Sequence, residues 1–293
     1  MEEISAKTIV TRTKGSAWFG TSYNMNIYRG CCHGCIYCDS RSDCYGTPEF
    51  DRVRVKKDAL RIIRDDLRRK VKPGVVGTGA MSDPYNPFEK DMLLTRHALE
   101  LLGAYSFGVA IATKSDLVTR DMDVLREIRS HSPVMVKFTV TTTDEELCGK
   151  IEPHAPSAGK RLAAVNALSR QGIFTGILLM PVLPFLTDSP QSVLEVLRRA
   201  SDAGARFVYP SLGVTLRQNQ REYFLSQADR LFPGMAERYR KQYGTGYSCG
   251  SPRARELWSA FQEECKRLGL LYKMPDIISG YKAGYQDSQL SWF

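Results

Sequence analysis

Residues 28–38 read YRGCCHGCIYC, and this stretch decides how the rest of the chain is interpreted. Cys31, Cys35 and Cys38 form a Cys-x3-Cys-x2-Cys array, so a single loop can offer three thiolates to three irons of a [4Fe–4S] cubane. The fourth iron then lacks a cysteine ligand, and an open coordination position is where a substrate or cofactor can bind. The spacing therefore predicts a catalytic [4Fe–4S] cluster on these three cysteines.

A structural zinc site is the alternative for the same loop, because Cys32, His33 or Cys44 can supply a fourth ligand. Zinc ribbons usually carry two Cys-x2-Cys knuckles, and the sequence has no second knuckle. Five of the eight cysteines lie between Cys31 and Cys44, which favours a metal or redox role over scattered thiols. The other two nearby thiols, Cys32 and Cys44, are interpreted as spare.

The surroundings of the array predict a cytoplasmic protein with reduced thiols. Residues 1–16 are polar and mixed in charge, unlike a signal peptide. No apolar run approaches the roughly 18 residues that indicate a membrane span, so no membrane association is expected. Disulfides are correspondingly not expected.

Beyond the array, hydrophobic periodicity alternates between the strand and helix periods. It predicts strands at 23–28, 75–79, 107–112, 134–140, 174–180 and 205–209. It predicts intervening helices at 56–69, 91–102, 121–130, 158–171 and 190–202. Six strands alternating with helices indicate an α/β fold, a partial (βα)6 TIM-like barrel with parallel strands.

After residue 217 the pattern becomes helical, with helices predicted at 217–241 and 252–268. The predicted organisation is an N-terminal extension at 1–22, a core barrel at 23–216, and a helical C-terminal extension at 217–293. We expect this extension to pack on the barrel.

Polar segments follow two of the predicted strands. Ser-Asp-Pro-Tyr begins at Ser82 after the second strand, and Thr-Lys-Ser begins at Thr113 after the third. Loops at the carboxyl ends of barrel strands are where such folds place their chemistry. Together with the cysteine array, these segments resemble the radical SAM (S-adenosylmethionine) superfamily, and within it the spore photoproduct lyase group of DNA repair photolyase-like proteins. The resemblance covers about 24–210.

The resemblance implies a radical SAM barrel, a [4Fe–4S] cluster and SAM as cofactors, and reductive cleavage of SAM followed by hydrogen abstraction. It also implies a reductase or a flavodoxin/ferredoxin-type electron donor. The SAM-binding residues that it implies are Tyr37 at the adenine, Ser82 and Lys114 at the methionyl group, Thr141 at the ribose, and Asp83 and Ser115 in the same site.

Several of these polar residues also have ordinary structural interpretations. Ser82 and Asp83 can cap the turn that follows them. Glu89 is interpreted as a residue at the start of a helix, Asp121 as a helix N-terminal charge, and Arg120 as its surface partner.

The chain departs from the spore photoproduct lyase group at Ala80. In that group a cysteine two residues before the serine donates a hydrogen atom, and alanine has no such hydrogen. Cys249 is a candidate donor if its loop folds over the barrel, although a lone cysteine also suits a structural role. Cys148 and Cys265 are interpreted as structural.

The net charge of +9 leaves the substrate class open. Basic and aromatic residues alternate between 217 and 255, a composition that suits phosphate contacts and base stacking but also a solvated helix face. Nucleic acid is one candidate substrate, beside a small molecule, a peptide or a protein side chain. A non-catalytic, metal-stabilised nucleic-acid-binding protein is the alternative function.

Overall fold

A computed structural model describes residues 1–15, 18–70 and 72–285 of the chain. Its strands are β1 (Glu2–Ile4), β2 (Val10–Arg12), β3 (Tyr23–Met25), β4 (Tyr28–Arg29), β5 (Arg54–Lys56), β6 (Val75–Thr78), β7 (Gly108–Thr113), β8 (Val134–Thr139), β9 (Phe174–Leu179), β10 (Phe207–Pro210), β11 (Gly213–Thr215) and β12 (Ser248–Gly250). Its α-helices are α1 (Ala59–Arg68), α2 (Glu89–Met92), α3 (Leu94–Ala104), α4 (Met122–Arg129), α5 (Glu145–Ile151), α6 (Ala158–Ser169), α7 (Pro190–Asp202), α8 (Gln220–Leu231), α9 (Met235–Tyr243), α10 (Ala254–Leu268) and α11 (Met274–Lys282).

The centre of the molecule is a seven-stranded sheet in the order β10-β9-β8-β7-β6-β3-β2. The six strands from β3 to β10 in this order are parallel to their neighbours, and β2 adds an antiparallel strand at the edge. Helices α3, α4, α6 and α7 pack against the strands, and α10 packs on α7. The predicted α/β fold with six parallel strands is confirmed.

The inner face of the sheet carries small residues at its centre. Gly77 of β6 pairs with Ala110 of β7, and Lys137 of β8 lies between Ala112 and Gly176. Side chains alternate between the two faces of a strand. Because Gly77, Ala110 and Ala112 are small and line a cavity, the barrel keeps an open interior at these positions, whereas the ring of Phe207 covers Gly176.

The amino ends of the strands are closed by an apolar cluster. Phe19, Met135 and Phe207 are fully buried there together with Ile277 of α11. The hydroxyl of Tyr281, also on α11, donates to the Phe19 carbonyl at 2.7 Å. The interior is therefore closed below and opens at the carboxyl ends of the strands.

Three predicted elements are wrong in their extent. The predicted helix 91–102 divides into the end of α2 and α3 at Leu93, which adopts a φ of 55°. The predicted strand 23–28 divides into β3, in the barrel sheet, and β4, which joins a separate sheet of order β1-β5-β4. The predicted helix 217–241 divides into α8 and α9 at Pro233-Gly234, where Gly234 adopts a φ of 84°. Proline lacks the N–H that a continuing helix needs, and glycine tolerates the left-handed backbone.

The predicted division into three segments stays a prediction, although contacts cross both of its boundaries. Strand β2, from the segment at 1–22, pairs with β3. Strand β11, before residue 217, pairs with β12 beyond it. Within the described residues, none of the helices is long and apolar enough to cross a membrane.

Candidate active site

A cavity of about 440 Å³ opens at the carboxyl ends of the barrel strands. Its wall combines the cysteine loop, the loops after β6 and β7, the inner face of the sheet and the start of the β11–β12 hairpin. Residues on this wall include Cys31, His33, Cys35, Tyr37, Cys38, Asp39, Ala80, Ser82, Asp83, Lys114, Lys137, Thr139 and Thr215. The three cysteines of the array thus face one space.

The cysteine loop is anchored at both of its ends. Gly30 adopts a φ of 82°, and a Cβ at this position would lie 2.5 Å from the Arg52 carbonyl, so only glycine fits. The N–H of Cys31 donates to the Phe50 carbonyl at 2.9 Å, and the N–H of Ile36 donates to the Ile151 carbonyl at 3.0 Å. The backbone therefore fixes where the thiols face.

The thiols lie in a buried setting that suits metal-bound sulfur. Burial raises the pKa of Cys31 to about 12 and also raises the pKa of Cys35 and of Cys38, while the charge of Lys114 lowers the latter two. Free thiols here are protonated, and bound iron stabilises the thiolate instead. Within the described residues, no three His, Cys, Asp or Glu side chains are placed so that together they could hold one metal ion. A cubane binds each thiolate to a different iron, so this donor set fits a cluster.

Glu152 and Arg161 form a fully buried ion pair behind the loop. Arg161 Nη2 lies 2.5 Å from Glu152 Oε2, and the hydroxyl of Tyr37 donates to Glu152 Oε1. Burial alone raises the pKa of Glu152, but the charges of Arg161 and Lys114 hold it below its ordinary value. Tyr37, between Cys35 and Cys38, is thereby held in place by the carboxylate of Glu152, the residue that directly follows α5. Sequence patterns did not indicate this pair, because charged residues on amphipathic helices are usually exposed.

Asp83 connects three segments of the cavity wall. Its Oδ1 accepts hydrogen bonds from Thr113 Oγ1 at 2.7 Å and from the Tyr85 N–H at 2.9 Å, and its Oδ2 accepts from the Lys114 N–H at 2.8 Å. His33 Nδ1 of the cysteine loop lies 3.5 Å from the same Oδ2. The carboxylate is thus engaged by protein donors, which favours the structural interpretation of Asp83 over direct cofactor contact.

Of the other predicted SAM contacts, Ser82 and Lys114 lie on the cavity wall. The hydroxyl of Ser82 donates to the Tyr28 carbonyl at 2.9 Å, which leaves its oxygen able to accept. Lys114 Nζ lies 5.5 Å from the centroid of the Tyr37 ring. Burial opposes its charge, but Cys35 and Glu152 raise its pKa above the ordinary value.

Ser115 and Thr141 do not reach the cavity wall. Ser115 Oγ accepts the N–H of Leu117 at 3.3 Å and caps the following turn. Thr141 Oγ1 faces Glu152 at 3.4 Å. Thr139, two residues earlier on the inward face of β8, lines the cavity instead. A ribose contact by Thr141 stays a prediction, and the structure places Thr139 rather than Thr141 on the cavity wall.

Glu89, Arg120 and Asp121 form a network beneath the site. Glu89 begins α2 and Asp121 directly precedes α4 with Arg120 as its partner, as predicted, but both carboxylates are buried rather than exposed. Glu89 accepts from the Tyr28 hydroxyl, and Arg120 Nη2 lies 3.4 Å from its carboxylate. Arg120 Nε also lies 2.7 Å from Asp121, whose carboxylate accepts from the Tyr85 hydroxyl. Both carboxylates are fully buried because the strand-end loops fold over them.

The structure does not bring Cys249 to the cavity. Cys249 pairs with Val214 in the β11–β12 hairpin and is fully buried in a cluster with Phe224 and Tyr239. Among the described residues, the thiols on the cavity wall are those of the array, and Ala80 lies on that wall without one. A thiol hydrogen donor from Cys249 therefore has no geometric support.

Comparison with known proteins identifies the family. Residues 25–198 match the model of the radical SAM superfamily. The chain belongs to the radical SAM superfamily. An uncharacterized protein of Mycobacterium tuberculosis (strain H37Rv) is 31% identical over 251 residues, which cover 83% of this chain and 74% of that protein. An uncharacterized protein of Methanocaldococcus jannaschii is 34% identical over 188 residues, covering 64% and 69%.

Solved structures with the same fold include two radical SAM enzymes. Spore photoproduct lyase, complexed with dinucleoside spore photoproduct, has a TM-score of 0.65 at 15% identity and covers 92% of this chain and 80% of its own. A radical SAM methyltransferase of Kitasatospora setae, with cobalamin and a [4Fe–4S] cluster bound, has a TM-score of 0.54 at 12% identity, covering 86% and 52%. The resemblance inferred from the sequence is confirmed, and superfamily membership indicates an enzyme.

The buried pair behind the radical SAM loop gives a stability prediction. Glu152→Ala leaves Arg161 as an unpaired buried charge, so we expect the free energy of unfolding to fall by about 3–5 kcal/mol. Urea unfolding of the cluster-free protein measures this. Glu146→Ala, which removes an exposed carboxylate on the neighbouring helix, is the control and is expected to leave stability nearly unchanged. Equal losses in the two variants would contradict the role given to the pair.

Proposed function

We propose that the chain is a radical SAM enzyme that carries a [4Fe–4S] cluster on Cys31, Cys35 and Cys38 and cleaves SAM reductively to abstract hydrogen from its substrate. The observation that carries this proposal is that the three thiols face one cavity together with Ser82 and Lys114. When bound, the cluster and SAM supply the one-electron chemistry that removes a hydrogen atom from a substrate.

The protein's own residues supply binding and orientation. Lys114, a compact buried cation, is suited to the carboxylate of SAM. The Ser82 hydroxyl oxygen is suited to its amino group, since the hydroxyl proton is already donated to Tyr28. Tyr37, fixed by Glu152, offers an aromatic face between two cluster ligands. The apolar and backbone walls around these groups limit the access of water.

An external electron donor belongs to this proposal. Reductive cleavage consumes an electron, and the chain offers no second cysteine array within its sequence. We propose a reductase or a flavodoxin/ferredoxin-type protein as the donor.

Nucleic acid is the substrate class that we propose for this site. The guanidinium of Arg217 lies 5.0 Å from the centroid of the exposed Tyr247 ring and 5.8 Å from that of Tyr45. Arg217 Nε also donates a hydrogen bond to Asp39 Oδ1 at 3.0 Å, and Asp39 lines the cavity. A cation between aromatic rings at a cavity mouth suits a phosphate next to a stacked base. Spore photoproduct lyase, which shares the fold, was solved in complex with dinucleoside spore photoproduct.

Removal of one cluster ligand tests the cluster. We expect Cys35→Ala to abolish cluster assembly, because one iron of the cubane loses its thiolate. Anaerobic reconstitution followed by iron and sulfide analysis measures the loss. The control is Cys44→Ala, which removes an exposed thiol a few residues along the chain and is expected to retain the cluster. Full iron and sulfide content in Cys35→Ala would refute the assignment.

SAM binding tests Lys114. We expect Lys114→Ala to weaken SAM binding at least about tenfold, since an ion pair to the SAM carboxylate is lost, while the cluster still assembles. Equilibrium binding to the reconstituted protein gives the affinity, and 5′-deoxyadenosine release after dithionite reduction reports cleavage. Lys160→Ala, at an exposed site on α6, is the control. Unchanged affinity in Lys114→Ala would remove this lysine from the site, and absence of 5′-deoxyadenosine with every substrate would favour the non-catalytic nucleic-acid-binding alternative.

DNA titration tests the substrate class. We expect Arg217→Ala to weaken binding of single-stranded and photodamaged DNA and to reduce the salt slope by about one. Fluorescence anisotropy over a salt series measures both quantities. Arg170→Ala removes one exposed charge at the opposite end of the barrel and is expected to change neither. Equal effects of the two variants would indicate a general charge effect and would exclude the Arg217 site.

A further inference from the structure

Lys137 is a buried lysine inside the barrel, at an inward position of β8. Its exposed fraction is 4%, and it lies on the cavity wall two residues deeper along the strand than Thr139. Two residues of strand correspond to about 6–7 Å. Because Lys137 pairs with Ala112, and Lys114 follows Ala112 by two residues, Lys137 also lies one layer below Lys114.

The protein offsets little of the free-energy cost of burying the ammonium group of Lys137. Its Nζ lies 4.5 Å from the centroid of the Phe19 ring, and within the described residues no carboxylate forms an ion pair with it. A cation–π contact offsets only part of what burial of an ammonium costs. Burial accordingly lowers the pKa of Lys137 to about 7.

The charged groups around Lys137 do not supply its ammonium with an ion-pair partner. The carboxylates on the cavity wall, Asp39 and Asp83, belong to the mouth and are held by their own donors. Lys114 at the end of β7 is a second cation, and Lys282 of α11 donates to the Gly20 carbonyl. Other strands contribute the neutral wall residues Asn24, Gly77 and Leu178, and Ser211 follows β10.

The inward face beside Lys137 is open on the Ala112 side, where this small residue lines the cavity. On the other side the ring of Phe207 covers Gly176, 2.3 Å from where a Cβ of that residue would lie. A buried ammonium that faces the cavity without a hydrogen-bond partner is unfavourable. A ligand oxygen placed there gains the hydrogen bonds and the charge that the protein leaves unmatched.

We propose that Lys137 forms the floor of an oxyanion subsite, which binds a carboxylate or a phosphate group of the substrate in the layer below the SAM site. The inference rests on the proposed function only for the SAM and the substrate that are placed above Lys137. Since Lys137 contacts neither the cysteine array nor its loop in the described structure, the subsite is a property of the barrel interior.

Proton linkage gives a direct readout. At pH 8 an amine with a pKa near 7 is mostly neutral, and an anion beside it raises that pKa. Anion binding at pH 8 must therefore take up a proton, in an amount that approaches one per site. Binding near pH 6, where the amine already carries its proton, takes up less.

The test uses the reconstituted, SAM-bound protein and titrates acetate or inorganic phosphate by calorimetry at pH 8, in two buffers of different ionisation enthalpy. We expect proton uptake in the wild type and at least tenfold weaker anion binding without uptake in Lys137→Met. Lys137→Gln serves as a second variant, and Lys160→Met is the surface control. Preference for acetate assigns the subsite to a carboxylate, and preference for phosphate assigns it to a nucleotide.

Absence of proton uptake in the wild type overturns the proposal, and so does anion binding that Lys137→Met and Lys137→Gln leave unchanged. A loss of SAM affinity in these variants also overturns it, because Lys137 would then belong to the cofactor. Failure of the proposed function appears separately, as missing 5′-deoxyadenosine release with anion binding and proton uptake intact.

Discussion

The carboxylate of Asp83 is the interaction on which the geometry of the site depends. It lies where the loops after β6 and β7 meet the cysteine loop, and it accepts donors from Thr113, Tyr85 and the Lys114 backbone. Through the last of these bonds, the segment that carries the Lys114 side chain is fixed relative to the Ser82 segment. A buried carboxylate satisfied by several donors is a rigid junction, since the loss of any one partner leaves a polar group unpaired in low dielectric.

A second junction lies on the other side of the loop. Tyr37 is held by Glu152, and Glu152 is held by Arg161, so the loop cannot move independently of α5 and α6. Both junctions act at the carboxyl ends of the strands, where a barrel offers converging loops but little regular hydrogen bonding. The parallel sheet thus positions the loops, and the buried charged groups fix the loop conformations where regular backbone hydrogen bonds are absent.

The sequence predicted those features that follow from local patterns. Six strands, the cysteine array and the polar segments at Ser82 and Lys114 were recognisable because spacing and periodicity are local properties. The sequence did not show which threonine faces the cavity. Strand β8 ends at Thr139, so the alternation of side chains no longer determines where Thr141 points. The positions of Glu89 and Asp121 at helix starts were predictable, but their burial was not, because only the folded loops create the partners that cover them. The ion pair of Glu152 and Arg161 and the depth of Lys137 are likewise consequences of contacts between distant segments.

The contact between Tyr281 and Phe19 joins segments separated by 262 positions. The base of the barrel is therefore assembled from a residue that is synthesised before the six parallel strands and from residues that are synthesised after them. During synthesis the strands can associate while their lower apolar surface is still uncovered, and the interior is sealed only when α11 has emerged. Folding of the enzyme is therefore ordered: α11 must pack on the amino ends of the strands before the cavity at their carboxyl ends is closed to solvent from below.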